Sequence, residues 1–313
     1  MEKRGHLQGY LLVAIAGSLW GINGFFVTKM SEAGASSLMT AFASHFFAFI
    51  PLCFYLLAKK GQEGLKISKK GFLFSLLLGV LTKGISKITM DTSVTLVGMA
   101  TTTILLYLAP VWTAIMAMIF FKEKLRGYQF IALFFNLIGC ILMVTGGNFT
   151  ELNISVLGLT LGALSGFLYA LSTILGKAGT SGDDSLTIAF YMLLFSTMTT
   201  AAFARPWNHL YLFGNSHFML WAIPCGLLIG TVANICFLTG ISKGIDASKT
   251  TIVTSIEVVV AVVAGVFLLK EYITLIGYVG IVLMLGSIVL MNINLPDIKG
   301  ESDNKEISTF DSH

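Results

Sequence analysis

The chain has 313 residues, of which 55% are hydrophobic and only 12% charged, and its mean hydropathy is +0.84. Soluble domains carry roughly 25% charged residues, so this composition excludes an ordinary soluble protein and indicates an integral membrane protein. The net charge of +4 is not gathered into a basic patch among aromatics, which argues against a nucleic-acid partner. The four cysteines fall in apolar stretches without paired spacing, so neither a metal site nor a disulfide framework is expected.

The first apolar run predicts a retained membrane span rather than a cleaved signal peptide. Lys3 and Arg4 precede it, and "AIA" at 14–16 resembles a cleavage site. The run nevertheless continues through "GSLWGINGFFV" to Val27, which is enough to cross a bilayer that needs about 20 apolar residues.

Nine further spans follow, so the predicted fold is an all-α integral membrane protein with ten transmembrane helices. A sliding window of about 19 residues places them near 37–58, 71–90, 95–121, 128–146, 156–176, 185–204, 218–240, 249–269 and 273–292. The polar residues 293–313 are predicted to form a disordered tail.

The basic residues predict how the chain is oriented. With a cytoplasmic N-terminus, fifteen of the 20 Lys and Arg residues lie in cytoplasmic segments, and only Lys29, Arg205 and Lys270 lie in outer ones. The positive-inside rule therefore predicts that both termini are cytoplasmic.

The two halves of the chain resemble one another at an offset of 148 or 149 residues. One register aligns Gly9 with Gly158, Gly17 with Gly166, "SLMTAF" at 37–42 with "SLTIAF" at 185–190, and Lys122-Glu123 with Lys270-Glu271. Each predicted repeat, 7–146 and 156–292, holds five helices. Because five is odd, the second repeat enters the membrane from the opposite side, and inverted repeats are typical of secondary transporters.

Three stretches resemble the drug/metabolite transporter superfamily, of the EamA-like type with two five-helix repeats. They are "GSLWGINGFF" in span 1, "LYLAPVWTAIMAMIFFKEKL" at the end of span 4, and "GISKGIDASKTTIVTSIEVVVAVVAGVFLLKEYITLIGYVGIVLMLGSIVL" across spans 9 and 10. The most specific element is a helix that ends in a glutamate, Glu123 or Glu271, followed by a short turn and a glycine-containing helix. The resemblance implies a ten-helix inner-membrane carrier that moves small metabolites, often amino acids or their relatives, and commonly exports them.

The chain departs from the family pattern in spans 4 and 9. The family tends to place a glutamate and a proline side by side in the fourth helix of a repeat, whereas this chain has Ala109-Pro110 in one half and Glu257-Val258 in the other. Pro110 interrupts the backbone hydrogen-bond ladder and is predicted to supply a hinge in span 4. Span 9 lacks the proline and is predicted to be straighter.

"VLTKGISKITMD" at 80–91 places Lys83, Lys87 and Asp91 four residues apart, so they form one stripe on a helix. An ionisable group in the hydrocarbon layer costs about 2.5–3.5 kcal/mol on the insertion scale, so each one is a functional candidate. Lys83 lies near the midplane and is predicted to attract a substrate carboxylate. Lys87 and Asp91 lie nearer the outer surface and are predicted to form an interfacial pair.

Two further titratable residues lie inside apolar spans. Glu257 is a candidate for proton coupling, and pairing with a lysine is the structural alternative. His45, in "FASHFFAF", is a candidate for proton relay or for a hydrogen-bonded packing role.

Polar and aromatic residues supply the remaining binding candidates. Trp20 aligns with Tyr169 and Asn23 with Ser172, so the first helix of each repeat presents an aromatic and a polar group suited to a substrate cavity. Tyr107 and Asn234 are weaker candidates, because small polar residues also bond between helices.

Together these features predict a secondary transporter, as a monomer or homodimer, that moves a small polar metabolite across the lipid bilayer by alternating access. Amino acids or related carboxylates are favoured as substrates, export as the direction, and protons are a candidate coupling ion. An exporter of amphipathic drugs is the alternative, in which the aromatic walls would matter and Lys83 would not. A channel and a membrane-embedded enzyme are the other classes, but no filter-like motif, catalytic cluster or cofactor site is predicted.

Overall fold

The computed structural model describes residues 2–148, 155–179, 182–269 and 274–292, and within these ranges the regular structure is helical. The ranges contain nine helical segments long and apolar enough to cross a membrane, together with the shorter apolar helix Leu275–Met291. Large apolar side chains remain exposed along the spans, such as Phe54 (71%) and Phe267 (78%), as expected of surfaces that meet lipid. The predicted all-α membrane fold is thus confirmed, whereas the predicted tail lies outside the described residues.

Spans 1 to 5 are built from helices of unequal length. Span 1 comprises Glu2–Gly21 and Asn23–Glu32; span 2 is Ser37–Lys60 with the 3-10 turn Gly61–Leu65; span 3 is Lys69–Leu77, the π-helical segment Leu78–Ile85 and the start of Ser86–Leu106; span 4 is the rest of that helix and Ala109–Phe120; span 5 is Gly127–Thr145. Ser93 Oγ lies 2.9 Å from Thr102 Oγ1, although nine residues of straight helix would span about 13 Å along the axis. The chain therefore reverses direction within Ser86–Leu106.

Spans 6 to 10 follow the same plan. Span 6 is Val156–Gly179; span 7 is Ser185–Ala204, followed by the 3-10 turns Pro206–Asn208 and Leu210–Gly214; span 8 is Ser216–Cys225, the π-helical segment Gly226–Val232 and Ala233–Ser242; span 9 comprises Ala247–Thr254 and Ile256–Leu269; span 10 is Leu275–Asn292. The two π-helical segments, in spans 3 and 8, begin 148 residues apart. This spacing matches the offset of the sequence repeat.

Side chains cap the starts of spans 2 and 7 at equivalent positions. Ser36 Oγ accepts a hydrogen bond from Met39 N at 3.3 Å, and Asp184 Oδ2 accepts one from Thr187 N at 3.2 Å. Such caps satisfy N–H groups that have no partner in the first turn of a helix. They explain why "SLMTAF" and "SLTIAF" both begin a helix.

Spans 5 and 10 pack closely and run antiparallel. Asn136 Nδ2 donates to Ser287 Oγ at 3.2 Å, and further along span 5 Met143 N meets Gly280, which comes earlier in span 10. The two helices approach so closely that a methyl group on Gly139 would lie 2.8 Å from Gly280 O. Since these are the last helices of the two predicted repeats, antiparallel packing is the arrangement that repeats of opposite topology require.

The first helix of each half packs against the other half through aligned glycines. A methyl group on Gly9 would lie 2.8 Å from Ile245 Cγ2, and one on Gly158 would lie 2.5 Å from Val97 Cγ1. Ile245 and Val97 are themselves 148 residues apart. The two contacts are therefore equivalent: in each, the first helix of one half packs against the other half.

Spans 4 and 9 both contain a break, at equivalent positions. Span 4 is interrupted at Tyr107 and Leu108, and span 9 at Ser255. The prediction of a straighter span 9 is wrong, because Ser255 N bonds to the carbonyls of both Thr251 and Ile252 and the helix tightens there without a proline. Pro110 itself stands in the first turn of Ala109–Phe120, where the missing N–H costs little.

Each break is covered by a glycine of the other half. A methyl group on Gly17 would lie 2.8 Å from Thr254 O, and one on Gly166 would lie 2.5 Å from Leu105 O. Any larger residue would push the first helix of each half away from the interrupted helix. The aligned glycines therefore hold the two halves together beside the breaks.

Candidate functional site

A cavity of about 230 Å³ lies between the two halves of the chain. Spans 1 to 4 supply its lining from the first half, and spans 6, 8 and 9 supply it from the second. Most of the residues predicted from the sequence line it, namely Trp20, Asn23, His45, Lys83, Tyr169, Asn234 and Glu257.

Lys83 enters the cavity from the π-helical segment Leu78–Ile85. A π-helical turn is rare and is found mostly at functional sites, because it widens the helix and re-aims its side chains. Lys83 Nζ lies 4.6 Å from the centroid of the Trp20 ring, within range of a cation–π interaction. Lys83 forms no ion pair with any carboxylate of the described ranges.

Glu257 enters the cavity from the other half, two residues after the break in span 9. Its Oε2 accepts a hydrogen bond from the Tyr169 hydroxyl at 2.7 Å. Gly21 fixes the backbone here, since a methyl group on it would lie 2.5 Å from Glu257 O. The cavity therefore presents an amine from one half and a carboxyl group from the other, and each contacts an aromatic side chain of the cavity wall.

Three more predicted residues on the wall have different roles. His45 Nδ1 is buried and has no hydrogen-bond partner among the described atoms. Asn23 begins the second helix of span 1, and its Oδ1 accepts a long hydrogen bond from Cys225 Sγ at 3.8 Å. Asn234 Nδ2 donates to Gly230 O at 2.7 Å, so this amide satisfies a carbonyl of the second π-helical segment.

Tyr107, Ser172 and Pro110 do not line the cavity. Tyr107 is 6% exposed and belongs to an apolar cluster with Cys140 and Met143. The Ser172 hydroxyl donates to Tyr169 O at 2.6 Å within its own helix, so its alignment with Asn23 does not extend to a shared role. Pro110 is buried at the start of the second helix of span 4.

Lys87 lies on the same helix stripe as Lys83, as the spacing in the sequence predicts. It was expected nearer the outer surface than Lys83, and it lines the same cavity one turn further along span 3. The interfacial pairing of Lys87 stays a prediction. The predicted partner, Asp91, has its side chain outside the described part of the chain.

Hydroxyl side chains on the cavity wall were missed. Thr40 and Ser44 in span 2 line it, as do Thr82 and Ser86 in span 3. Each pair is spaced i, i+4, which places both hydroxyls on one helix face. That spacing, inside apolar spans, is the signal that could have found them.

Among the described residues, the cavity lining extends from the middle of the membrane toward one side. We call the side on which span 1 begins the N-terminal face, and the other side the opposite face. Val27, Thr40 and Met90 line the cavity and lie within about two turns of helix ends at the opposite face. Toward the N-terminal face the interior is filled by the largest apolar cluster, which includes Leu56 and Ile245.

Comparison with known proteins gives a consistent result. The model of the EamA-like transporter family matches residues 7–145 and again residues 156–293. An uncharacterized inner membrane transporter of Salmonella typhimurium, YicL, is 25% identical over 292 residues, which cover 92% of this chain and 96% of that protein. A solved structure, titled only as the crystal structure of a protein, superimposes with a TM-score of 0.74 at 13% identity and covers 91% of this chain and 98% of its own. This last likeness concerns the fold alone.

Proposed function

Because this chain belongs to the EamA-like transporter family, we propose that it is a secondary active transporter that carries a small polar metabolite by alternating access. The observation that carries the proposal is the placement of Lys83 and Glu257, from different halves, on one mid-membrane cavity. Two inverted repeats, 7–146 and 156–292, would let the halves exchange conformations around that cavity. The N-terminal face is assigned to the cytoplasm from the distribution of Lys and Arg, and the inner membrane from the description of the Salmonella relative.

The proposed substrate is an amino acid or a related carboxylate. A substrate carboxylate would interact with Lys83, and a substrate ammonium group with Glu257, so a zwitterion would neutralise both buried charges at once. Trp20 and Tyr169 supply apolar walls for the rest of the molecule.

An exporter of amphipathic drugs is the second candidate, and the aromatic walls are the observation that favours it. The cavity of about 230 Å³ is smaller than the roughly 300–1,000 Å³ typical of pockets for drug-sized ligands. The charged groups would also lack partners if the ligand were apolar. Both arguments favour the small metabolite.

Protons are the proposed coupling ion, and export is the proposed direction. Glu257 and His45 are titratable groups on the cavity wall, and Glu257 shares a hydrogen bond with the Tyr169 hydroxyl. A substrate ammonium group and a proton would compete for the same carboxylate, which is a simple basis for exchange. The export direction rests on family membership.

The test begins with the metabolites of cells that have or lack the protein. Compounds whose export changes are then examined for counterflow in proteoliposomes. The standard amino acids of proteins, in isotopically labelled form, serve as a fixed panel. A carrier should show saturation and counterflow, whereas a channel should show neither. Absence of saturable counterflow for every compound in the panel and every compound found in cells would overturn the proposal.

A further inference from the structure

A buried cluster of hydroxyl groups connects spans 4, 6 and 9 on the N-terminal side of the cavity. Thr251 Oγ1 donates to Thr113 Oγ1 at 3.0 Å and lies 3.2 Å from Thr173 Oγ1. All three residues are buried. One threonine from each of three helices therefore meets the other two in a buried contact on the N-terminal side of the cavity.

A second connection between the same three spans lies nearer the surface, at Glu123. Its carboxylate accepts from Lys177 Nζ at 2.8 Å, from Ala247 N at 2.9 Å and from Ser248 Oγ at 2.8 Å. Glu123 follows span 4, Lys177 lies in the last turn of span 6, and Ala247 begins span 9. Hydrogen bonds to an ionised carboxylate are roughly twice as strong as neutral ones, and the helix start adds a favourable dipole.

Other described ion pairs on this face differ from the Glu123 pair in geometry. Lys66 with Glu63 and Lys249 with Asp246 are local i, i+3 pairs. Lys60 with Asp184 joins spans 2 and 7, but both side chains are more than a third exposed, compared with 11% for Glu123 and 20% for Lys177. Glu123 therefore supplies the best-buried charged tie between different spans in the described part of the chain.

The two helices whose ends meet at Glu123 are short, and each is separated from the rest of its span by a break beside the cavity. Ala109–Phe120 runs from the break at Tyr107 and Leu108 to the loop that holds Glu123. Ala247–Thr254 runs from the contact with Glu123 to the break at Ser255. Each of these short helices thus has a break at its cavity end, near Leu106 or Glu257, and a contact with Glu123 at its other end.

We infer that Glu123 holds the cytoplasmic gate of the transporter closed, and that its release from Lys177 and span 9 opens the cavity to the cytoplasm. The inference rests on the proposed function, because it names the residue that controls access to the same cavity. Glu123 is a positioning residue here, since it acts on these short helices and does not touch the substrate.

The test measures from which side a cavity cysteine can be labelled. The four native cysteines are replaced by alanine, Ser44→Cys supplies the reporter, and a membrane-impermeant maleimide is added to right-side-out or inside-out vesicles. Glu123→Gln should raise the labelling rate from the cytoplasmic side by about tenfold, since it removes charged hydrogen bonds that favour the closed state. Labelling equal to that of the parent from both sides would overturn the inference.

A matched control separates gating from a general effect of lost charge. Glu63→Gln makes the same chemical change on the same face, but within the described ranges the Glu63 carboxylate pairs only with the nearby, exposed Lys66. It should leave both labelling rates unchanged. An equal rise in Glu63→Gln would overturn the specific role of Glu123.

A second variant keeps the inference testable if Glu123→Gln does not fold. Thr113→Cys with Thr251→Cys places two thiols where hydroxyls lie 3.0 Å apart, and Glu123 is retained. Oxidation should abolish cytoplasmic labelling of the reporter, and reduction should restore it. Undiminished cytoplasmic labelling of the cross-linked protein would overturn the gate. Labelling needs no substrate, so these results are independent of counterflow, whose complete absence would instead overturn the proposed function.

Discussion

Gly280→Ala should destabilise the protein by forcing spans 5 and 10 apart. A methyl group at this position would lie 2.5 Å from Gly139 O and 2.6 Å from Met143 N. Ordinary contacts between heavy atoms lie near 3.5 Å, so the helices would have to separate by about 1 Å. Because both neighbours are backbone atoms, no side chain can rotate away to relieve the contact.

The expected net loss is about 2 kcal/mol in the free energy of unfolding. Overpacking costs about 1–3 kcal/mol, and backbone neighbours place this site near the upper value. Alanine regains up to about 1 kcal/mol over glycine through helix propensity. Gly286→Ala on the same helix, Leu275–Asn292, is the control, because nothing lies within 4 Å of its methyl position.

The assay is thermal unfolding of the two purified variants in the same detergent. With Gly286→Ala stabilised by about 1 kcal/mol, the variants differ by about 3 kcal/mol. At roughly 2 °C per kcal/mol for a chain of this size, the unfolding temperatures should differ by about 6 °C. If Gly280→Ala unfolds at the same temperature as Gly286→Ala or higher, the close antiparallel packing of these spans is wrong.

Three further predictions concern transport and pH. Lys83→Met should weaken the affinity for a carboxylate-bearing substrate by about 30-fold or more, because a buried charged partner is worth about 2–5 kcal/mol. Lys83→Arg, which keeps the positive charge, should lose less affinity. The KM of counterflow measures both variants, and an unchanged KM in Lys83→Met refutes the lysine role. Glu257→Gln should remove the pH dependence of counterflow, so pH profiles that match the parent would argue against proton coupling through this residue. Burial raises the pKa of Glu123, but the hydrogen bonds from Lys177 and from Ala247 N outweigh it and hold the pKa below its ordinary 4.5. The ionised carboxylate therefore contributes its full stabilisation above about pH 4.5 and loses it as the pH falls through the lowered pKa. The unfolding temperatures of the parent and Glu123→Gln should therefore differ at neutral pH and converge in acid. A constant difference down to the most acid sample would contradict this.

The membrane spans could be predicted from the sequence because the bilayer imposes a simple rule. A helix that crosses it needs about 20 apolar residues, and the polar breaks "KKGQEGLKISKK" and "KEKLRG" separate such runs clearly. The matched glycines Gly17 and Gly166 could also be found from the repeat. Their packing explains why glycine stands at this position in both halves. What these residues contact could not be predicted, because the contacts cross between halves.

The angular placement of residues around each helix was harder to predict. Nearly every face of these spans is apolar, so hydrophobic periodicity gives little information about which face points inward. The π-helical segments at Leu78–Ile85 and Gly226–Val232 then shift the phase of everything that follows them. Tyr107 and Ser172, which the sequence assigned to the cavity, do not line it.

By itself, the sequence determined that the chain is an all-helical membrane protein with two similar halves, and that Lys83 and Glu257 are the buried charges of interest. Hydropathy, repeat register and the cost of a charge in lipid are local or additive properties, so they can be read without coordinates. Only the tertiary structure decided that the two charges share one cavity, that span 9 breaks without a proline, and that Glu123 ties three spans together. Each of these depends on contacts between helices far apart in the chain, where backbone geometry and hydrogen-bond partners are set by neighbours rather than by the local residues.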